Sequence, residues 1–199
     1  MKIAAKAKRR NAAATRAAIL ASARRAFARA GYDGVGVREI ANGAGVTAML
    51  IGRYFGSKEQ LFAEVLAETM ATPSILTQEI LTSPTPGADI AAALIDQTKS
   101  GATPLDGFLI MLHSASSKRA ARIGRRQIEN HHQKVMTAAL RGDLAPQRAA
   151  LVLSLIAGLQ VMRQMISLSA LAKAEPKALV KILGPVFQQL VGRRATTRQ

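Results

Sequence analysis

Apolar residues recur at helical spacing along almost the whole chain, and no strand-like alternation persists beyond a few residues. Ile19, Ala23, Phe27 and Ala30 mark one face of a first helix from about Asn11 to Ala30, and Gly31 follows where a left-handed C-terminal cap belongs. Val37, Ile40, Ala41 and Ala44 form the apolar face of a short second helix with Gly36 at its N-cap. Gly45 supplies the positive φ of a turn, and Val46 is an apolar plug. Thr47 is placed to cap a third helix that ends near Phe55-Gly56. Ser57-Lys58-Glu59-Gln60 reads as a capping box in which Ser and Gln satisfy each other's main-chain N–H groups. The fourth helix that it opens buries Leu61, Phe62, Val65, Leu66 and Met70, and ends near Pro73.

Pro84-Thr85-Pro86-Gly87 is the clearest loop in the chain. Beyond it the pattern predicts helices over about 88–100, about 104–117 with Thr103 and Pro104 as cap and first residue, and about 118–141, closed by Gly142. The last third differs, because Leu151, Val152, Leu155, Ile156, Leu159, Val161, Met162, Met165 and Ile166 cover most of a helix circumference. Such a helix is buried on both sides, and in a small protein one of those sides calls for a partner. A final helix opens at Pro176 and carries Leu179, Ile182, Leu183, Val186 and Leu190, with Pro185 inside it. Leu155, Leu159, Met162, Ile166, Leu183, Val186 and Leu190 are therefore the candidate dimer contacts. The fold class is all-α, with about nine helices.

Charge adds a partner to this picture. Lys and Arg number 28 against 12 acidic residues, a formal charge of +16, which favours polyanions. The surplus is uneven: residues 1–71 hold 12 basic and 5 acidic residues, and no acid precedes Asp33. A basic arm, 1–12, thus leads into the first helices, whereas 72–117 is acidic. Lys118, Arg119, Arg122, Arg125 and Arg126 form a further basic face on one helix. Without cysteine there are no disulfides, thiolate nucleophiles or cysteine zinc sites, which fits a cytoplasmic location. His131 and His132 are adjacent on a helix and point about 100° apart, so no metal site is expected, and no cofactor either. His113-Ser114 is not a triad and no Gly-Lys-Ser/Thr phosphate loop occurs, so no enzyme is expected. Arg16 interrupts the Ala-rich start, so no secretory leader is expected. The uncharged run Ala149 to Met162 is shorter than the ~20 residues a membrane span needs, so no membrane segment is expected.

Two short helices around Gly45 followed by a capped third are what a helix-turn-helix looks like in sequence. The ordered set Thr15, Ile19-Leu20, Ala23, Phe27, Gly31-Tyr32, Val37-Arg38-Glu39-Ile40-Ala41, Ala44-Gly45-Val46-Thr47, Tyr54-Phe55, Ser57-Lys58-Glu59 and Leu61-Phe62 resembles the DNA-binding domain of the tetracycline-repressor (TetR) family. The resemblance implies a DNA-binding domain over 13–73 with its motif at 36–55, and a helical effector-binding and dimerisation domain over 74–195. It implies a dimeric transcriptional regulator, by default a repressor, that leaves a palindromic double-stranded DNA operator when a small molecule binds the C-terminal helices and changes the spacing of the two readers.

For DNA contact the candidates are Lys58 at a helix N-terminus, Tyr54 in the slot where the family carries His or Tyr, and Thr47, Ala48 and Met49 at the start of the reading helix. Arg38 and Arg53 suit guanine edges or phosphates. Phe108, His113, Gln127 and His131 lie on the helices that line the effector pocket in similar proteins. Two glycines depart from the pattern: Gly52 stands where many members carry Tyr in the reading helix, and Gly36 lacks a hydroxyl often found there. Tyr54, about 200° around the helix from Gly52, does not replace that ring. Two competing functions remain: a non-sequence-specific architectural DNA-binding protein, suggested by the charge, and a ligand-sequestering helical protein, suggested by Gly52.

Overall fold

No glycine or proline interrupts the chain between Lys2 and Ala30, and the computed structural model makes this whole stretch one helix, α1 (Lys2–Ala30). The arm expected at 1–12 is helical from Lys2 because Ala, Lys and Arg are among the best helix formers. The structure describes residues 2–70, 75–99 and 106–192. It divides into two compact units, Met1–Thr72 with Leu105–Gln127, and Pro73–Pro104 with Ile128–Gln199.

The first unit contains α1, α2 (Val37–Gly43), α3 (Ala48–Phe55), α4 (Lys58–Met70), α7 (Asp106–His113) and α8 (Lys118–Ile128, to Gln127). Ile19, Ala23, Phe27, Ile40, Ile51, Phe55, Leu61, Phe62, Val65, Leu66 and Ile110 form its core. Phe62 meets both Phe27 and Tyr32 edge-on, with centroids 5.0 Å apart in each pair, a geometry that adds about 0.5–1.5 kcal/mol per pair beyond area burial. The buried Ser22 hydroxyl donates to Ile40 O at 2.8 Å and joins α1 to α2.

This compactness divides the chain differently from the boundary read in sequence, which assigned everything after 73 to the second domain. Residues 106–127 join the first unit through long-range polar contacts. Tyr32 N–H donates to Ser114 Oγ at 2.9 Å, His113 Nδ1 lies 2.7 Å from Ala28 O, and Arg24 pairs with Asp106 at 2.7 Å. Gly31 permits this twice over. Its φ is +67°, and a Cβ there would lie 2.3 Å from His113 O.

The second unit contains α5 (Gln78–Thr82), α6 (Pro86–Gln97), α9 (Lys134–Ala139), α10 (Ala145–Gln160), α11 (Ser169–Ala172) and α12 (Pro176–Val191). Ile90, Ala91, Leu94, Met136, Ala149, Val152, Ile156 and Phe187 are its buried centre. The helix expected over 118–141 runs from Lys118 to Ala139 with a π turn inside it at Glu129–Gln133, and a second π turn, Val161–Met165, continues α10. The short α5 and α11 had no expectation in the sequence. The expected cap Thr103 and first residue Pro104 lie outside the described residues.

Ala145–Met165 is a 21-residue helical stretch whose most apolar 18-residue window has a mean hydropathy of 1.3, long and apolar enough by those measures to cross a bilayer. The uncharged run undercounts it because Arg148 and Arg163 belong to the same helical stretch. Both arginines turn inward: Arg163 is buried and donates to Ile95 O and Thr98 Oγ1, both at 2.7 Å, and Arg148 donates to Leu190 O at 3.2 Å. Val152 and Ile156 are also buried, so one face of the helix serves this unit's core, while only 17% of the apolar window is buried.

Candidate nucleic-acid interface

The turn between α2 and α3 is built by main-chain bonds: Gly45, at φ +65°, donates to Asn42 O at 3.1 Å, and Val46 donates to Ala41 O at 3.0 Å. Val46 packs against the first core, the plug expected of it. Gly36 occupies the N-cap of α2, with extended backbone. Thr47 occupies the N-cap of α3, but its hydroxyl makes no cap bond; the expected acceptor role is not taken, and the exposed side chain stays available.

Ile51 and Phe55, one turn apart, are buried and fix the roll of α3. That roll leaves Met49 84% exposed, which rules out a core role, and turns Gly52 and Arg53 outward within an arc of about 100° of Met49. A Cβ at Gly52 would meet nothing within 4 Å. Ala48 and Tyr54 are half-buried against the first core. Arg38 on α2 is exposed, and neither Arg38 nor Arg53 forms an ion pair among the described residues. Their neighbours differ: Arg29 pairs with Glu39, while Arg16 pairs with Glu64 and lies over the Phe55 ring, 4.9 Å from its centroid.

At the start of α4, half of the capping box forms. Gln60 N–H donates to Ser57 Oγ at 3.1 Å, but Ser57 N–H donates to Phe55 O at 2.9 Å and not to the Gln60 side chain. Lys58 follows as the first helical residue, with Nζ 4.3 Å from the centroid of the Tyr32 ring. Burial pulls its ammonium below the ordinary lysine value, against the opposing field of Asp33 and Glu59. Sequence reading missed this aromatic seat, since nothing local links Lys58 to Tyr32.

Three of the four effector candidates lie in the first unit and one in the second. Phe108 is half-buried on α7, His113 is held to Ala28 O, and Gln127 Nε2 donates to Ala63 O at 3.3 Å. His131 is exposed on the first π turn, in the second unit. A cleft of about 630 Å³ in the first unit is lined instead by Arg16, Leu20, Arg24, Glu68 and Asp106 among others.

Of the dimer candidates, Leu155, Met162, Ile166 and Val186 are exposed, whereas Leu159, Leu183 and Leu190 pack against the second core. Leu151, 53% exposed, and Ile182, 66% exposed, add to the open apolar surface of these helices; the sequence pattern includes both, but not among the candidate dimer contacts. Their i, i+4 spacing to Leu155 and Val186 was the signal that could have found them.

The family model of bacterial regulatory proteins of the tetR family matches residues 19–65, and the tetracyclin repressor-like C-terminal domain matches residues 85–191. A search of the curated proteins finds no match. Among solved structures, a TetR-family regulator from Streptomyces coelicolor A3 is similar at 24% identity and TM-score 0.58, covering 91% of this chain and 96% of its own. NalD, the secondary repressor of the MexAB-OprM multidrug efflux pump in Pseudomonas aeruginosa, is similar at 20% identity and TM-score 0.59, covering 88% and 95%. EbrR, a multidrug binding protein solved with proflavin, is similar at 16% identity and TM-score 0.57, covering 88% and 99%. At these identities the structural likenesses establish the fold.

Proposed function

The chain belongs to the TetR family of DNA-binding transcription regulators, and we propose that it is a cytoplasmic homodimeric repressor that a small-molecule effector releases from a palindromic operator. The observation that carries this reading is the roll of α3: burial of Ile51 and Phe55 turns Met49 and Arg53 outward beside Gly52 on the second helix of the motif. In this reading Met49, Arg53, Thr47 and Ala48 face base edges, while Lys58, Tyr54 and Arg38 hold phosphates. NalD as a repressor and EbrR with bound proflavin support effector-released repression. The open apolar surface of α10 and α12 is the dimer face, and the effector is neither a metal nor a cofactor in this reading.

The helical start of α1 carries Lys2, Lys6, Lys8, Arg9 and Arg10, and we assign it phosphate contacts that compensate for Gly36 and Gly52. Genome-wide footprinting, followed by release with a panel of cationic and aromatic compounds, tests the reading. A single palindromic site released by one compound supports it. Uniform protection without sequence preference identifies an architectural DNA-binding protein, and compound binding without DNA binding identifies a ligand-sequestering one. Deleting residues 1–10 is expected to weaken operator binding and to flatten its salt dependence, the log–log slope falling by roughly 0.9 for each phosphate that the shortened chain leaves unneutralised. Unchanged affinity and slope would remove the assigned role of this segment.

A further inference from the structure

We propose that Arg119, which lies outside the helix-turn-helix, is a positioning residue for DNA binding because it neutralises Glu59 beside Lys58. The inference rests on Lys58 being a phosphate contact.

The start of α4 is the positive end of a helix dipole, which favours a phosphate, although Ser57 Oγ already accepts the Gln60 N–H at 3.1 Å. Glu59 opposes this, since it places a carboxylate one residue from Lys58. Its own main-chain N–H first, and the charge of Arg119 after it, hold the Glu59 carboxyl below the usual carboxylate range, so it is ionised at neutral pH. Arg119 Nη1 donates to Glu59 Oε1 at 2.7 Å. Tyr32 lies between the two cations: its ring seats Lys58, and its side chain interacts with both Arg119 and Glu59.

Arg119 is delivered to this place by the packing of α8. Ser117 Oγ accepts Ala120 N–H at 3.3 Å at the start of α8, Ala120 and Gly124 are buried, and Gln127 donates to Ala63 O, which ties the far end of α8 to α4. Lys118, Arg122, Arg125 and Arg126 share the outer face of α8, but none forms an ion pair among the described residues. An exposed ion pair contributes little to folding, so the value of Arg119 lies in the field it cancels where a phosphate docks.

The test uses the full-length protein and a duplex enriched by the wild type from a randomised pool. R119Q is expected to bind this duplex roughly tenfold more weakly, with its thermal midpoint unchanged, and E59Q/R119Q to return to within about twofold of wild type. R126Q, which removes the same charge farther along α8, is expected to stay within about twofold of wild type. Unchanged binding by R119Q overturns the inference, and so does a double variant as weak as R119Q, which marks a direct or architectural role. A loss in R126Q equal to that in R119Q also overturns it, as an effect of net charge. K58Q separates the two levels. If K58Q weakens binding while R119Q does not, only the Arg119 inference fails; if K58Q binds as wild type, the phosphate reading of Lys58 fails with it.

Discussion

The two units solve opposite surface problems. The first folds around an aromatic centre, Phe27, Tyr32 and Phe62, and turns charge and small polar groups outward along α2, α3 and the start of α4. The second also buries a core, yet leaves Leu151, Leu155, Met162, Ile166, Ile182 and Val186 open to solvent on α10, on and just after the π turn that continues it, and on α12. In the proposed reading the surface for DNA is built mostly from side chains that water already accepts, with Met49 the exception. In the same reading the surface for a second copy is built from side chains that water does not accept, and association would complete it. The contrast teaches where each unit is vulnerable: the first through single polar contacts, the second through loss of a whole apolar patch.

The strongest break of that contrast is to charge the apolar patch. L155E/I166E is expected to yield monomers in analytical ultracentrifugation and to lower operator affinity about a hundredfold or more, because two linked heads become independent binders. A dimer that survives both charges would move the interface elsewhere. A smaller effect is expected from R53Q in the first unit: about 1–3 kcal/mol at one base position, with specificity relaxed there, read by binding to a panel of operator variants. A uniform loss across the panel would make Arg53 a phosphate contact instead.

Below these stands G52A, which tests whether the reading face is open. Nothing lies within 4 Å of the added methyl group, so the variant is expected to gain up to about 1 kcal/mol of stability and to melt at a higher temperature. A lower midpoint would contradict the exposed helical setting of Gly52.

The smallest effect is one of pH in the second unit. Burial, and after it the charge of His131, pushes the His132 pKa below its ordinary value, so the unfolded chain binds the proton more readily than the folded one. Stability is then retained above about pH 6.5 and falls as the solution is acidified through the unfolded value. H132Q is expected to flatten this fall in urea titrations between neutral and mildly acidic pH. An identical slope in the variant would assign the acid sensitivity to other groups.

Much of the first unit was legible in the chain because its signals are local. Gly45 at the turn, Val46 as plug and Ser57 before α4 act through neighbours a few residues away, and each sits as the pattern predicts. The roles of single side chains were less legible. Thr47 stands at the N-cap without using its hydroxyl, and Ser57 takes only one half of its box. His113 and Gln127, read as ligand-facing, bond to the main chain of α1 and α4, partners 85 and 64 residues away in sequence.

By itself the sequence determined that the chain is helical, where most helices begin and end, which residues flank the turn of the motif, and that the last long helix carries more apolar surface than one core can absorb. These follow from periodicity, caps and turn residues, whose energies are settled within a turn or two of chain. The tertiary structure alone decided that 105–127 joins the reading unit, that Arg163 is buried against the end of α6, and that Arg119 meets Glu59. Those outcomes depend on contacts between residues tens of positions apart. Such contacts exist only once packing has brought two helices together, and no local pattern records them.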